Sequence, residues 1–451
     1  MNIENIRQVY LIGIGGIGMS ALARYFRHFG CLVGGYDRTE TELTRQLVAE
    51  GIPVSYTDDF SLVNDAFREA GDHTLIIYTP AVPSELGLID QFQQRGHLLF
   101  KRSQVLGLIS QNRFAIAVAG THGKTTTSSL IAHVLTDSGY GCSAFLGGIS
   151  TNYHTNVLFS DNNVIVLEAD EYDRSFLTLF PDIAVVTSAD ADHLDIYGDK
   201  DQLQESFQLF LDQLHADGKR IVKAGLPFAA DIFYSAGGVA DAYADRIHIV
   251  AGEFYFDYVW DGGRMDDVHL GVPGNHNVEN ATAAITVARL LGITEAKIRR
   301  ALASFSGVKR RFEYVVKSEK AIYIDDYAHH PAELKACFAA VRALYPDKHL
   351  TVVFQPHLYS RTRDFADEFA AVLSTVDTLL LMEIYPAREL PIKGVDSSML
   401  LGKINIADKH LCSADEVKAF VKAHRPELVV TVGAGNVDLL VEPLKTILSH
   451  A

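Results

Sequence analysis

The sequence is short of cysteine, and none of what it has is spaced for metal or redox chemistry. Only Cys31, Cys142, Cys337 and Cys412 occur, far apart and with no CxxC or Cys/His pattern. They are expected to be reduced, buried thiols. Positive charge is also in deficit: 40 Lys and Arg against 56 Asp and Glu leave a formal net charge of −16. This argues against non-specific binding to nucleic acid or anionic membrane, while leaving room for a small basic pocket around an acidic ligand. No uncharged apolar run approaches the ~18 residues of a membrane span, and Met1–Arg7 lacks the apolar core of a signal peptide. A soluble, cytoplasmic protein is expected. Repeats of solenoid length and low-complexity tracts are missing as well.

What is present points to packed α/β domains. Hydrophobic residues make up 48% and charged residues 21% of 451, enough for about two to four cores. Short apolar runs alternate with helical patterns, the mark of largely parallel sheets. The pattern restarts three times, which divides the chain into 1–111, 112–308 and 309–451. The first segment opens with Val9-Tyr10-Leu11-Ile12, the second with Phe114-Ala115-Ile116-Ala117-Val118-Ala119, and the third has its first strand at Ala321-Ile322-Tyr323-Ile324. Less regular sequence around Gly237-Gly238 and Gly262-Gly263 suggests an antiparallel appendage to the second.

Each restart carries a motif. Gly13-Ile14-Gly15-Gly16-Ile17-Gly18 follows a strand and opens a helix, with Asp37 after the next strand. Glycines there let the backbone approach a diphosphate, and an acidic residue can hold ribose hydroxyls. The pattern does not separate NAD from other diphosphate-bridged nucleotides. Gly120-Thr121-His122-Gly123-Lys124-Thr125-Thr126 is more specific, because it sets a lysine and a hydroxyl at the mouth of a helix. Backbone N–H groups would cradle phosphates, Lys124 would neutralise them, and Thr125 can ligate Mg²⁺. The loop is shorter than the usual P-loop, since Val118 stands where the first glycine would be. Glu168 and His193 follow neighbouring strands and can converge on the same metal. Further on, Arg310-Arg311-Phe312 marks the last boundary. Asp325-Asp326-Tyr327-Ala328-His329-His330-Pro331 and Gln355-Pro356-His357-Leu358-Tyr359-Ser360-Arg361 end two successive strands, which suggests a crevice.

Taken in order, these motifs resemble the Mur ligases of peptidoglycan precursor synthesis, over essentially the whole chain. Gly274-Asn275-His276-Asn277-Val278-Glu279-Asn280 belongs to the same resemblance. It implies an α/β fold of three domains: a Rossmann-like domain for the UDP end of the substrate, a central P-loop-type ATPase sheet, and a Rossmann-like domain for the amino acid. It implies ATP and Mg²⁺ as cofactors, with UDP-N-acetylmuramate and L-alanine as substrates and a monomer or weak homodimer as the assembly. The turn of Gly13, Gly15, Gly16, Ile17 and Gly18 would hold UDP diphosphate. His122 would help hold the muramate carboxylate, Asn277 and Asn280 would contact the ATP base region, and Arg311 and Asp326 would engage ATP. Tyr327, His329 and Arg361 would receive the alanine, with His329 as a candidate base.

Three departures from the family pattern stand out. Ser188 and Asp190 replace the usual Asn and Glu, Leu358 replaces a common arginine, and Gln208 stands near the place of a carbamylated lysine in sister enzymes. Two other readings compete: a ligase that recycles a whole murein tripeptide, and a nicotinamide-dinucleotide dehydrogenase or sensor built on the Gly13 turn. The second leaves the Gly120 loop without a role.

Overall fold

A computed structural model describes residues 3–83, 85–190, 197, 199–387 and 389–449. Three sheets carry the chain. The first is wholly parallel, with strands β1 (Gln8–Ile12), β2 (Leu32–Tyr36), β3 (Val54–Ser55), β4 (Thr74–Tyr78) and β5 (Leu99–Lys101) in the order β3-β2-β1-β4-β5. Strands of this kind are covered on both faces and therefore read as unbroken apolar runs. Val9, Leu11 and Leu75 face one core, while Tyr10, Ile12 and Ile76 face the other. The strand order reverses between β1 and β4, so the Gly13 turn lies at the carboxyl edge where ligands of such sheets bind.

The second sheet is built around β6 (Phe114–Ala119), flanked by β9 (Val164–Glu168) and β10 (Ile183–Val186), both parallel to it. It continues through β7 (Ser143–Ser150) to β8 (Thr155–Leu158) on one side, and through β11 (Lys219–Lys223) to β12 (Ile232–Ser235) on the other. Strands β13 (Ala242–Val250), β14 (Glu253–Trp260) and β15 (Gly263–Leu270) follow. The first part of the expected antiparallel appendage, around Gly237-Gly238, joins two parallel strands. β12 and β13 pair in parallel through Tyr234↔Ala242 and Ser235↔Tyr243 only, and the Asp241 carboxylate accepts the Phe233 N–H at 2.8 Å.

Contacts divide the chain into two compact units. One comprises Met1–Asp245, Tyr258–Asp266 and Glu279–Phe305; the other comprises Arg246–Asp257, Asp267–Val278 and Ser306–Ala451. The first sheet and strands β6 to β12 of the second thus fall in one unit, although the sequence restarts between them. A single apolar cluster joins them, running from Val9 and Leu22 to Phe145, Leu167 and Phe210. Asn156, fully buried, adds a polar tie: its Nδ2 donates to Ile17 O at 2.5 Å and to Ser20 Oγ at 3.0 Å, and its Oδ1 accepts from Arg24 at 2.7 Å.

The second unit holds the third sheet: β16 (Glu313–Lys317), β17 (Ile322–Asp326), β18 (Leu350–Phe354), β19 (Thr378–Leu381), β20 (Asp408–Leu411) and β21 (Leu428–Val432), ordered β16-β17-β21-β18-β19-β20. Only β16 is antiparallel. β17 and β18 succeed each other in sequence, but β21 lies between them, so their terminal loops straddle a strand-order switch. All four cysteines are buried and free, as expected. Among the described residues no helix is long and apolar enough to cross a membrane.

Replacing Asn156 by Ala would strand buried polar groups, at a cost of about 1–3 kcal/mol. Urea unfolding of the variant should show that loss. A midpoint unchanged from the parent would mean the tie contributes nothing.

Candidate active site

The phosphate loop is shaped by the strands beside it. Register places Val118 opposite Glu168 and Ala119 opposite Val186, so the chain leaving β6 passes between the ends of β9 and β10. Gly120 adopts φ 138°, and a Cβ there would lie 2.1 Å from Thr187 Oγ1. Only glycine fits such a position. Thr187 Oγ1 donates to Ala119 O at 3.1 Å, and Ser188 Oγ accepts the His122 N–H at 2.6 Å and meets Thr121 Oγ1 at 3.0 Å. The Asp190 N–H in turn reaches Thr121 Oγ1 at 3.1 Å. Ser188, a departure in sequence, is therefore the brace of this loop.

Lys124 opens the helix Lys124–Asp137, with Thr125 and Thr126 in its first turn. Its Nζ donates to Gly120 O at 2.6 Å and meets the two Glu171 carboxylate oxygens at 2.9 and 2.7 Å. Burial works against the ammonium, but Glu171, Asp170 and Glu168 outweigh it and raise its pKa. Lys124 is thus cationic at neutral pH. Thr125 Oγ1 donates to Glu168 Oε1 at 3.0 Å, and Gly147 N–H to Glu168 Oε2 at 3.0 Å. Asn280 reaches the same loop from the helix Asn275–Leu290, accepting from Thr127 Oγ1 at 3.1 Å.

The Gly13 turn stands in the same unit. Asp37 accepts the N–H of Gly15 at 2.8 Å and of Thr39 at 3.2 Å, so here it holds the turn's own backbone. At Gly18 a Cβ would lie 2.7 Å from Arg102 Nη1, and Arg102 Nη2 sits 3.4 Å from Asp170 Oδ2. One arginine therefore lies against both the glycine turn and the acidic segment that pairs with Lys124.

In the second unit Asp326 ends β17 and accepts the Phe312 and Ala328 N–H groups, each at 2.7 Å. Burial pushes its pKa up to about 6, against the pull of Arg311 and the two N–H donors. The Arg311 guanidinium lies 5.0 Å from the Tyr327 ring centre and 4.0 Å from Glu333 Oε1. Glu333 also closes the cap of the helix Pro331–Leu344. His276 and His329 are both pulled down to about 4, chiefly by burial, with Arg311 acting against the charged form in each and Arg361 in His329. Both rings are neutral at pH 7. His329 Nδ1 lies 2.9 Å from Tyr327 O, so that nitrogen carries the proton and Nε2 the lone pair. Asn277 donates to Pro273 O at 2.6 Å.

With the geometry in place, comparison with known proteins is decisive. Residues 8–114 match the Mur ligase family catalytic domain, 118–288 the Mur ligase middle domain, and 310–435 the Mur ligase glutamate ligase domain. A UDP-N-acetylmuramate–L-alanine ligase of Parabacteroides distasonis is 47% identical over 99% of this chain and 98% of its own. The chain belongs to the Mur ligase family. Among solved structures, UDP-N-acetylmuramate-alanine ligase of Thermotoga maritima superposes with a TM-score of 0.83 at 26% identity, covering 98% of both chains. A murein peptide ligase of Psychrobacter arcticus gives 0.73 at 23% identity over 99% of both, a likeness of fold.

In this Mur ligase the first unit gathers Gly120, Thr121, His122, Gly123, Lys124, Thr125, Thr126, Glu168 and Asn280, and the second gathers Arg311, Asp326, Tyr327, His329 and Arg361. His193, expected as a metal ligand, lies outside the described residues. Among the described residues no group of three His, Cys, Asp or Glu side chains could hold a metal ion. The hard oxygens of Thr125 and Glu168 nonetheless lie side by side, the donor type Mg²⁺ takes when phosphates and water complete its shell. Arg102 and Glu333 carry part of this chemistry without standing out in the sequence. Leu358 caps its helix with φ 71°, its N–H on Tyr385 O at 3.0 Å.

The raised pKa of Asp326 has a signed consequence. Between pH about 4 and about 6 the folded protein holds a proton that the unfolded chain has released, so stability falls as pH rises through that window. Asp326→Asn removes the effect. The stability of the parent relative to this variant should drop by roughly 2–3 kcal/mol from pH 4 to pH 7; a pH-independent difference would contradict the assignment.

Proposed function

We propose that this chain joins L-alanine to UDP-N-acetylmuramate with ATP, giving ADP and phosphate, in peptidoglycan precursor synthesis in the cytoplasm. The observation that carries the reading is the 47% identity, over 99% of the chain, to a ligase of that name. The Lys124–Thr125–Glu168 arrangement supports it, being suited to transfer of a phosphoryl group. The same full-length relationship favours alanine over the tripeptide as the second substrate. We assign 1–111 to the UDP substrate, 112–308 to ATP and 309–451 to the amino acid, acting as a monomer or weak homodimer.

A carboxylate oxygen leaves too poorly for an amine to displace it. In the reaction we propose, a lactyl carboxylate oxygen bonds to the γ-phosphorus of ATP and the β–γ bridging bond breaks, releasing ADP. The alanine nitrogen then bonds to the acyl carbon, and the carbon–oxygen bond to phosphate breaks. Lys124 and the loop N–H groups stabilise charge on the phosphoryl oxygens. Thr125 and Glu168, with His193, would hold Mg²⁺, which neutralises further phosphate charge. His122 orients the muramate carboxylate, Asn277 and Asn280 the base, and Arg311 and Asp326 the ATP. The turn Gly13 to Gly18 and Asp37 hold the UDP end, while Tyr327, His329 and Arg361 hold alanine.

The attacking amine must first lose a proton. An imidazole with a pKa near 4 is a weak acceptor, so loss of the proton to solvent is the simpler route and His329 serves as a hydrogen-bond acceptor. The pH dependence of kcat/KM for alanine should then show no break between pH 5.5 and 8 that His329→Gln abolishes.

Purified protein with ATP, Mg²⁺ and UDP-N-acetylmuramate should release phosphate only when alanine is added, and far more slowly with the tripeptide. Faster release with the tripeptide would replace the reading by the recycling one. Lys124→Ala should lower turnover by orders of magnitude while leaving the UDP substrate bound, and normal turnover would overturn the phosphate-site assignment.

A further inference from the structure

Arg311 is held in an unusual stretch of backbone. The residues on either side, Arg310 and Phe312, both adopt left-handed conformations, with φ 60° and 52°. For side chains of this size each costs about 1 kcal/mol or more, and such strain persists only where the surroundings over-determine it. Here they do. Arg310 N–H donates to Glu313 Oε2 at 2.8 Å, Arg310 O accepts the Tyr327 N–H at 2.6 Å, and Phe312 N–H meets Asp326 at 2.7 Å.

The side chain of Arg310 is what anchors the stretch. Its Nε donates to Asp325 Oδ2 at 2.9 Å, and its Nη2 donates to Gly433 O at 2.8 Å, just beyond β21. Asp325 is fully buried, and its other oxygen accepts Thr431 Oγ1 at 2.5 Å; Thr431 in turn meets the Tyr323 hydroxyl at 3.1 Å. One guanidinium therefore spans the ends of β17 and β21, the two strands at the switch point. Arg310 and Arg311 then lie 5.3 and 5.0 Å from the centre of the same Tyr327 ring. A lysine cannot copy the fork, because its point charge reaches one partner at a time.

We propose that Arg310 is the positioning residue that aims Arg311 and Tyr327, with Asp325 and Gly433 as its fixed points. The inference rests on the reading above in which Arg311 acts on ATP and Tyr327 on alanine. Arg310 acts through them, its own Nε and Nη2 being committed to Asp325 and Gly433.

Steady-state kinetics of Arg310→Lys, Arg311→Lys and the double variant test it. Arg310→Lys should lower kcat about 10- to 100-fold, the range for a small misplacement of a reacting group, with KM for UDP-N-acetylmuramate unchanged. The double variant should lose less than the product of the two single losses, since part of the Arg310 effect passes through the Arg311 guanidinium. Multiplied losses in the double variant, or a normal kcat in Arg310→Lys beside an impaired Arg311→Lys, would overturn the inference. A normal Arg311→Lys would instead sink the role of Arg311 itself. Should Arg310→Lys fail to fold, Thr431→Val loosens Asp325 while keeping the ion pair. It should lower kcat with the same KM signature, and a thermal shift with unaltered kcat would mark the network as purely structural.

Discussion

A carboxylate with no exposed surface is tolerable only beside a cation, and Glu171 has one in Lys124. Removing charge from water costs several kcal/mol, and leaving one partner alone is worse than removing both. That constraint fixes the Lys124 side chain against Glu171 and Gly120 O before any nucleotide arrives. The helix that Lys124 begins is fixed with it, and so is Thr125 against Glu168. An incoming triphosphate therefore meets a cation already oriented, and it competes with a carboxylate for it. This arrangement makes the loop selective for ligands of high negative charge.

The parallel sheet makes the pair possible. Adjacent strands in one direction deliver their terminal loops to one edge, so the ends of β6, β9 and β10 supply lysine, carboxylates and hydroxyl brace side by side. The same logic operates in the second unit, where the ends of β17, β18 and β21 are tied by Arg310 and by Gln355. The Gln355 amide donates to Asn436 at 2.7 Å and accepts the Val437 N–H at 2.9 Å. Two unrelated polar side chains thus do one job, holding loops that no backbone ladder reaches.

Much of this was legible in the sequence, for local reasons. Apolar runs at β1, β6 and β17 name their strands because parallel strands are buried on both faces, and glycine turns after β1 and β6 advertise phosphate-type loops. What stayed hidden depends on partners far along the chain. Arg102 reads as an ordinary charged residue until Gly18 and Asp170 are seen beside it, and Asn156 as a loop polar residue until it meets Ile17. The chain restarts three times yet packs as two units, because glycine and polar breaks report connectivity while the apolar cluster shared by the first two sheets does not show in either segment alone. Ser188 looked like a lapse from the family pattern, and its hydroxyl instead performs the bracing. The charge state of His329 was likewise beyond reach, since it follows from burial and from Arg361.

The buried cysteines give the enzyme a set of internal clocks. Cys31 lies in the core shared by the first two sheets, Cys142 at the end of the phosphate-loop helix, and Cys337 and Cys412 on opposite faces of the third sheet. Burial raises every one of these thiols, Cys142 to about 12. A thiol so protected reacts with an alkylating reagent only when its surroundings open. The order in which the four are labelled therefore reports which layers of the native enzyme breathe first, without a probe having to be introduced.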